Sequence, residues 1–252
     1  MLKVRIIPCL LLKDLKLVKS IRFEQHRNIG SYIAAVRVFD ARGVDELVFL
    51  DISATPEYRP ISLEIVRTVA EDCFMPFGAG GGVRTIEDIR QLLKIGADKI
   101  VINTEAVRNP QFVAESAKMF GCQAIVVSID ARLNTAGKHE VFVQGGKDPT
   151  GLDAVEWAKR AEQLGAGELL ITSIDKDGTM EGYDIDLIRS ITGTVRIPVI
   201  ASGGAGKLQD FVDAVKLGGA SAVAAASIFQ YTQTTPLMIK QYMQQHSISV
   251  RL

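Results

Sequence analysis

At 252 residues the chain suits one large α/β domain or two small ones, and a hydrophobic content of 47% is ample for a single extended core. Lysine plus arginine and aspartate plus glutamate stand at 29 each, a balance that speaks against nucleic acid or an anionic membrane as partner. Cys9, Cys73 and Cys122 lack metal-ligand spacing and read as reduced, buried thiols of a cytoplasmic protein. Arg5 and Lys13 interrupt the first apolar stretch, so no signal-peptide layout or membrane-spanning run is expected.

In chain order, short β-branched runs alternate with longer amphipathic segments. The predicted strands are Val4–Leu10, Glu46–Asp51, Pro76–Ala79, Lys99–Asn103, Ala124–Asp130, Glu168–Ser173, Val195–Ala201 and Ala222–Ala226. Helical patterns fall between them at Ser31–Arg42, Ser62–Asp72, Thr85–Ile95, Asn109–Phe120, Leu152–Leu164, Asp184–Thr192 and Lys207–Leu217. The first strand runs on as Leu11-Leu12-Lys13 into a loop that carries Lys19. Several strands are apolar throughout, as expected where both faces of a parallel sheet are covered. Eight strand–helix units in about 250 residues match a (β/α)8 barrel. An open doubly wound sheet is the alternative.

The two halves echo one another. Pro76-Phe77-Gly78-Ala79-Gly80-Gly81-Gly82 recurs as Pro198-Val199-Ile200-Ala201-Ser202-Gly203-Gly204, and the same spacing pairs Glu46 with Glu168. Such a repeat favours a single barrel, residues 1–252, built from two half-barrels. In a barrel the reacting groups lie at the C-terminal ends of the strands. The repeat puts one glycine cluster there after strand three (Gly81, Gly82) and another after strand seven (Gly203, Gly204). Asn103 and Thr104, then Ala226 and Ser227, end the next strand in each half. Glycine lets backbone N–H groups approach an anion. Tight turns alone would explain one cluster, whereas two opposed clusters point to a ligand phosphorylated at both ends.

Strand five closes on Asp130, a carboxylate placed to act as general acid or base. Asp51, Ser173 and Asp177 add polar groups to the same face, and Lys19 is a candidate for a phosphate or a developing charge. His26, His139 and His246 do not end strands and receive no catalytic role. At the opposite ends lie Arg5, Glu46, Lys99 and Glu168, on strands one, two, four and six. Charges so placed are costly unless paired. They can form a salt-bridge ring on the barrel floor, serving either stability or passage of a small polar molecule.

These segments, together with Asp98-Lys99, Ile129-Asp130-Ala131-Arg132, Thr150-Gly151-Leu152-Asp153-Ala154-Val155-Glu156-Trp157-Ala158 and Asp177-Gly178-Thr179, closely resemble the cyclase subunit of imidazole glycerol phosphate synthase along essentially the whole chain. The resemblance implies a class-I glutaminase docked on the floor near Asp98, and ammonia passing a gate of Arg5, Glu46, Lys99 and Glu168. It implies cyclisation of a bis-phosphorylated ribulosyl ribotide at the mouth, with Gly178 among the phosphate seats and no metal or organic cofactor. The family's two aspartates fall on Asp130 and on residue 11, which is Leu11 here; Asp14 is the nearest carboxylate in sequence. Gly78 and Gln230 also depart from the family's threonine and histidine. The pattern Cys-Leu-Leu-Leu-Lys-Asp resembles a paralogous branch that works with a glutaminase and a third, sugar-amidotransferase protein on acetamidino sugars of surface polysaccharides. The orthodox cyclase and a non-catalytic ammonia conduit are the competing expectations.

Overall fold

The computed structural model describes residues 3–252. Its strands are β1 (Arg5–Lys13), β2 (Lys16–Ile21), β3 (Glu24–Gly30), β4 (Leu47–Asp51), β5 (Phe77–Gly80), β6 (Lys99–Ile102), β7 (Ile125–Leu133), β8 (His139–Val143), β9 (Asp148–Asp153), β10 (Glu168–Ser173), β11 (Val199–Ser202) and β12 (Ala222–Ala225). Eight of them pair in parallel in the order β1-β4-β5-β6-β7-β10-β11-β12, and β12 returns to β1 through the register Arg5↔Ala222 to Pro8↔Ala225. That closure, with helices between the strands, makes a single (β/α)8 barrel and rules out the open sheet.

Local chemistry sets the helix starts. Ser62, Thr85 and Asp153 each accept an amide of the first turn of α2 (Leu63–Asp72), α3 (Ile86–Lys94) and α6 (Ala154–Gln163), relieving donors that have no partner within the helix. Thr85 and Asp88 cap reciprocally. Two apolar layers result. One lies between helices and sheet and includes Phe49, Phe77, Ile89 and Phe211. The other fills the barrel with Ile7, Cys9, Val48, Val101, Val126, Leu170, Ile200, Ala222 and Ala224.

Two excursions differ from the sequence expectation, and both border the mouth. The first strand continues to Lys13 and folds back on β2 with Leu11↔Val18 and Leu12↔Leu17 paired. The turn places Asp14 and Leu15 at φ 49° and 61°, a geometry usually marked by Asn-Gly or Asp-Gly, so Asp-Leu gave no hairpin signal. A second hairpin, β8–β9, follows β7. The predicted strand from Val195 begins only at Val199, because the Val195 amide donates back to Ile191 at the end of α7 (Ile185–Thr192). Among the described residues no helix is long and apolar enough to cross a membrane.

Helix α10 (Pro236–Gln245) fastens the chain end to the barrel's beginning. The buried Lys240 Nζ donates to Asp45 Oδ1 at 2.8 Å and to the Gly43 carbonyl at 2.9 Å, while Asp45 Oδ2 accepts the Ile6 amide at 2.8 Å. Removing one partner of a buried pair strands the other charge. Asp45→Ala should therefore cost about 3–5 kcal/mol in urea unfolding, and combining it with Lys240→Met should recover much of that loss. A cost below about 1 kcal/mol would contradict the assignment.

Candidate active site at the barrel mouth

The floor is closed by charge. Arg5 Nη1 pairs with Glu46 and lies 3.1 Å from Glu168 Oε1; Lys99 Nζ lies 2.9 Å from Glu46 Oε2 and 3.0 Å from Glu168 Oε2. Each cation thus touches both carboxylates, and the four expected residues form one closed ring. Above it the interior narrows to aliphatic side chains, among them Ile7, Val48 and Leu170. Asp98 is exposed on the floor side, with one oxygen accepting the Phe77 amide at 2.9 Å.

The opposite end opens into a cavity of about 330 Å³. Leu11, Lys19, Asp51, Gly81, Gly82, Asn103, Thr104, Asp130, Asp177, Gly178, Gly203, Gly204, Ala226 and Ser227 all border it. The two glycine clusters follow β5 and β11, four strand positions apart around an eight-strand ring. At Gly82 (φ +66°) a Cβ would meet the Arg59 carbonyl at 1.9 Å, and at Gly204 (φ +109°) the Gly182 carbonyl at 2.1 Å, so both backbones pass where only glycine fits.

Asp130 stands at the centre of the polar contacts. Asn103 Nδ2 donates to its Oδ2 at 3.1 Å and Ser128 Oγ to its Oδ1 at 3.4 Å. Burial pushes its pKa up to about 7, the Ser128 hydrogen bond works against this, and the charge of Asp177 adds to it. A carboxyl in that range can hold or release a proton near neutrality. Asp177 is raised for the same first reason, with Lys19 and the Ser20 hydroxyl (2.9 Å) opposing. Lys19, expected in an open loop, is 5% exposed within β2 and faces the mouth. The Arg22 amide donates to the Asp177 carbonyl at 2.8 Å, so the β2–β3 hairpin is latched across the opening.

Other expected residues have different duties. Asp51 spends Oδ1 on the Ser53 and Ala54 amides at 3.0 and 3.2 Å, and Oδ2 on Arg59 at 2.6 Å, which shapes the following loop. Ser173 does not border the cavity. Its hydroxyl donates to Asp184 Oδ2 at 3.1 Å, which also meets His139 at 3.1 Å. Asn103 is turned toward Asp130, and Thr104 Oγ1 accepts the Gln144 amide at 3.1 Å. Leu11 is half-buried in the wall with Leu50 and Ala226, whereas Asp14 is exposed in the hairpin turn at the rim. Ser128 and Phe23 also border the mouth and are not among the expected residues, and His26 does so although it receives no catalytic role from the sequence. His26 borders the mouth 3.4 Å from Lys13 Nζ, and burial followed by that charge lowers its pKa. Its position became visible only with the hairpin.

The fold and mouth define a (β/α)8-barrel protein whose polar centre holds two raised carboxyls, Asp130 and Asp177, between opposed glycine clusters. Residues 5–235 match the family model described as histidine biosynthesis protein. Over 251 residues, 100% of both chains, the sequence is 47% identical to the imidazole glycerol phosphate synthase subunit HisF of Alkaliphilus metalliredigens (strain QYMF). The chain belongs to the histidine biosynthesis protein family and is of the HisF type.

The raised pKa of Asp130 has a consequence for stability. As pH rises from about 4, the unfolded chain releases this proton while the folded protein keeps it, so the contribution of Asp130 to stability falls until about pH 7 and is then constant. Asp130→Asn should therefore gain in urea midpoint over wild type across that window. A difference independent of pH would contradict the burial of this carboxyl.

Proposed function

We propose that this chain is the ammonia-accepting barrel of a two-subunit glutamine amidotransferase, HisF-like in architecture but altered at its chemical centre. Support begins at the floor. Paired charges can separate locally to admit a small polar molecule where packed leucines would not, and the aliphatic column above offers ammonia no proton donor. On this reading a separate class-I glutaminase docks beside Asp98 and releases ammonia past Arg5, Glu46, Lys99 and Glu168. At the mouth, the seats at Gly81, Gly82, Asn103 and Thr104, and at Gly178, Gly203, Gly204, Ala226 and Ser227, hold the phosphates of the acceptor.

The observation that carries the altered chemistry is Leu11 in the cavity wall. Converting a ribulosyl ribotide and ammonia to imidazole glycerol phosphate and aminoimidazole carboxamide ribotide needs proton transfers on both sides of the closing ring. Asp130 supplies one acid–base group, and a leucine can neither give nor take a proton. Losing such a group lowers the rate by about a hundred- to ten-thousand-fold. Asp14 at the rim is a poor replacement, since catalysis depends on close placement. We infer that the retained task is delivery of ammonia to another acceptor in surface-polysaccharide synthesis: an acetamido sugar whose amide oxygen a third, amidotransferase protein at the mouth activates with a nucleoside triphosphate, so that the oxygen leaves with the activating group as ammonia adds and an acetamidino sugar results.

The orthodox cyclase is the second reading. It is favoured by Asp177, whose charge reaches Asp130, and by the full-length likeness to a HisF subunit. Complementation of a histidine auxotroph lacking its cyclase separates the two. The proposal expects little or no growth with the wild-type chain and restored growth with Leu11→Asp. Growth at the normal rate with the unaltered chain would overturn it.

A further inference from the structure

The acid–base centre and glycine cradles leave one part of the rim without a role. The loop after β4 is pinned at both ends: Asp51 grips Ser53, Ala54 and Arg59, and the Ile61 amide donates to the Gly81 carbonyl at 2.9 Å. On this loop Tyr58 holds φ +53° with 73% of its surface exposed, and it borders the cavity. A bulky residue adopts left-handed backbone only where its surroundings impose it, and such positions gather at ligand sites. Arg84 Nη2 donates to the Tyr58 carbonyl. Arg84 and Arg108 both border the cavity on this side, and neither forms an ion pair among the described residues. Nearby Arg59 differs, being committed to Asp51 and Glu57.

A ligand ending in a monophosphate at Gly82 and Thr104 would leave an exposed ring and two guanidinium groups without a carboxylate partner beyond its end. Guanidinium forks suit phosphate oxygens, and exposed aromatic side chains stack on bases. We propose that this rim, continuous with the cradle at Gly82 and Thr104, seats a nucleoside diphosphate. One phosphate lies in the cradle, the other between Arg84 and Arg108, and the base on Tyr58. The inference rests on the proposed function only in taking that cradle as a phosphate seat. A free nucleotide and a nucleotide-activated sugar share this chemistry; in the second, the sugar extends inward toward Asp130.

Calorimetry on the full chain tests the seat, with UDP, UDP-N-acetylglucosamine, inorganic pyrophosphate and ribose 5-phosphate as probes. UDP should bind roughly tenfold tighter than pyrophosphate, the margin expected for one stacked base. Tyr58→Gly suits the left-handed backbone, so the loop keeps its shape; it should erase that margin and leave pyrophosphate binding unchanged. Arg84→Ala combined with Arg108→Ala should weaken UDP and pyrophosphate alike by about tenfold while sparing ribose 5-phosphate. The sugar-bearing probe binding tighter than UDP assigns the seat to an activated sugar, and equal binding assigns it to a free nucleotide. UDP binding no tighter than pyrophosphate, or indifferent to Tyr58→Gly, would overturn the seat. If ribose 5-phosphate still bound, the cradle would survive that failure; if no phosphate bound, the cradle would fall too.

Discussion

Four charges placed where an apolar barrel should begin impose the constraint on which the remaining arrangement depends. Arg5, Glu46, Lys99 and Glu168 enter from β1, β4, β6 and β10, and each cation reaches both carboxylates. Removing any one leaves the ring with an unbalanced charge in a largely buried place, shared among the three that remain. A ring of this kind is weak support for stability, because packed hydrocarbon could close the floor as well. Under the proposed function its place is explained by passage: the ring would seal the floor against bulk water yet separate locally for a small polar guest. The barrel above is lined by side chains no larger than leucine, and the same strands that hold the ring end at the mouth, so floor and site form one axis.

At the far end of that axis the mouth gathers buried titratable groups. Asp130 is raised to about 7 by burial, held by Asn103 and Ser128, and faced by Asp177 with Lys19 nearby. Opposite it the wall is hydrocarbon at Leu11. On the proposed function, that asymmetry separates binding and nitrogen delivery, assigned to the cradles and the floor, from ring closure, which calls for a second proton-transfer group. The rim proposal agrees with an altered acceptor: Tyr58, Arg84 and Arg108 border the mouth outside the first cradle, where a terminal monophosphate would not reach.

The barrel was legible because its signals are local and repeated. Apolar runs mark strands buried on both faces, Ser62 and Thr85 mark helix starts, and the glycine clusters recur at matching places in each half. The floor ring was legible for a related reason, since a charge heading an apolar strand is conspicuous. The hairpins were not. Asp14-Leu15 makes a left-handed turn without the glycine or asparagine that usually signals one, so the sequence places the candidate Lys19 in a loop rather than a strand and gives His26 no catalytic role. Ser173 misled for another reason: β10 alternates its side chains, and the last one points to Asp184 behind the strand rather than into the mouth. The duties of Asp51 and Asn103 depend on how the loop after β4 folds back on Asp51 and on the approach of β7 to Asn103, which spacing does not reveal.

The most direct measurement follows nitrogen through the reconstituted pair of barrel and glutaminase. It would use amide-labelled glutamine, the Leu11→Asp background and the ribulosyl ribotide as acceptor. With the ring intact, most label should reach product even in excess unlabelled ammonium. With Lys99→Ala the barrel should stay folded and glutamine hydrolysis should continue, while the label escapes to solvent. An unchanged share of label in the product would contradict passage through the floor.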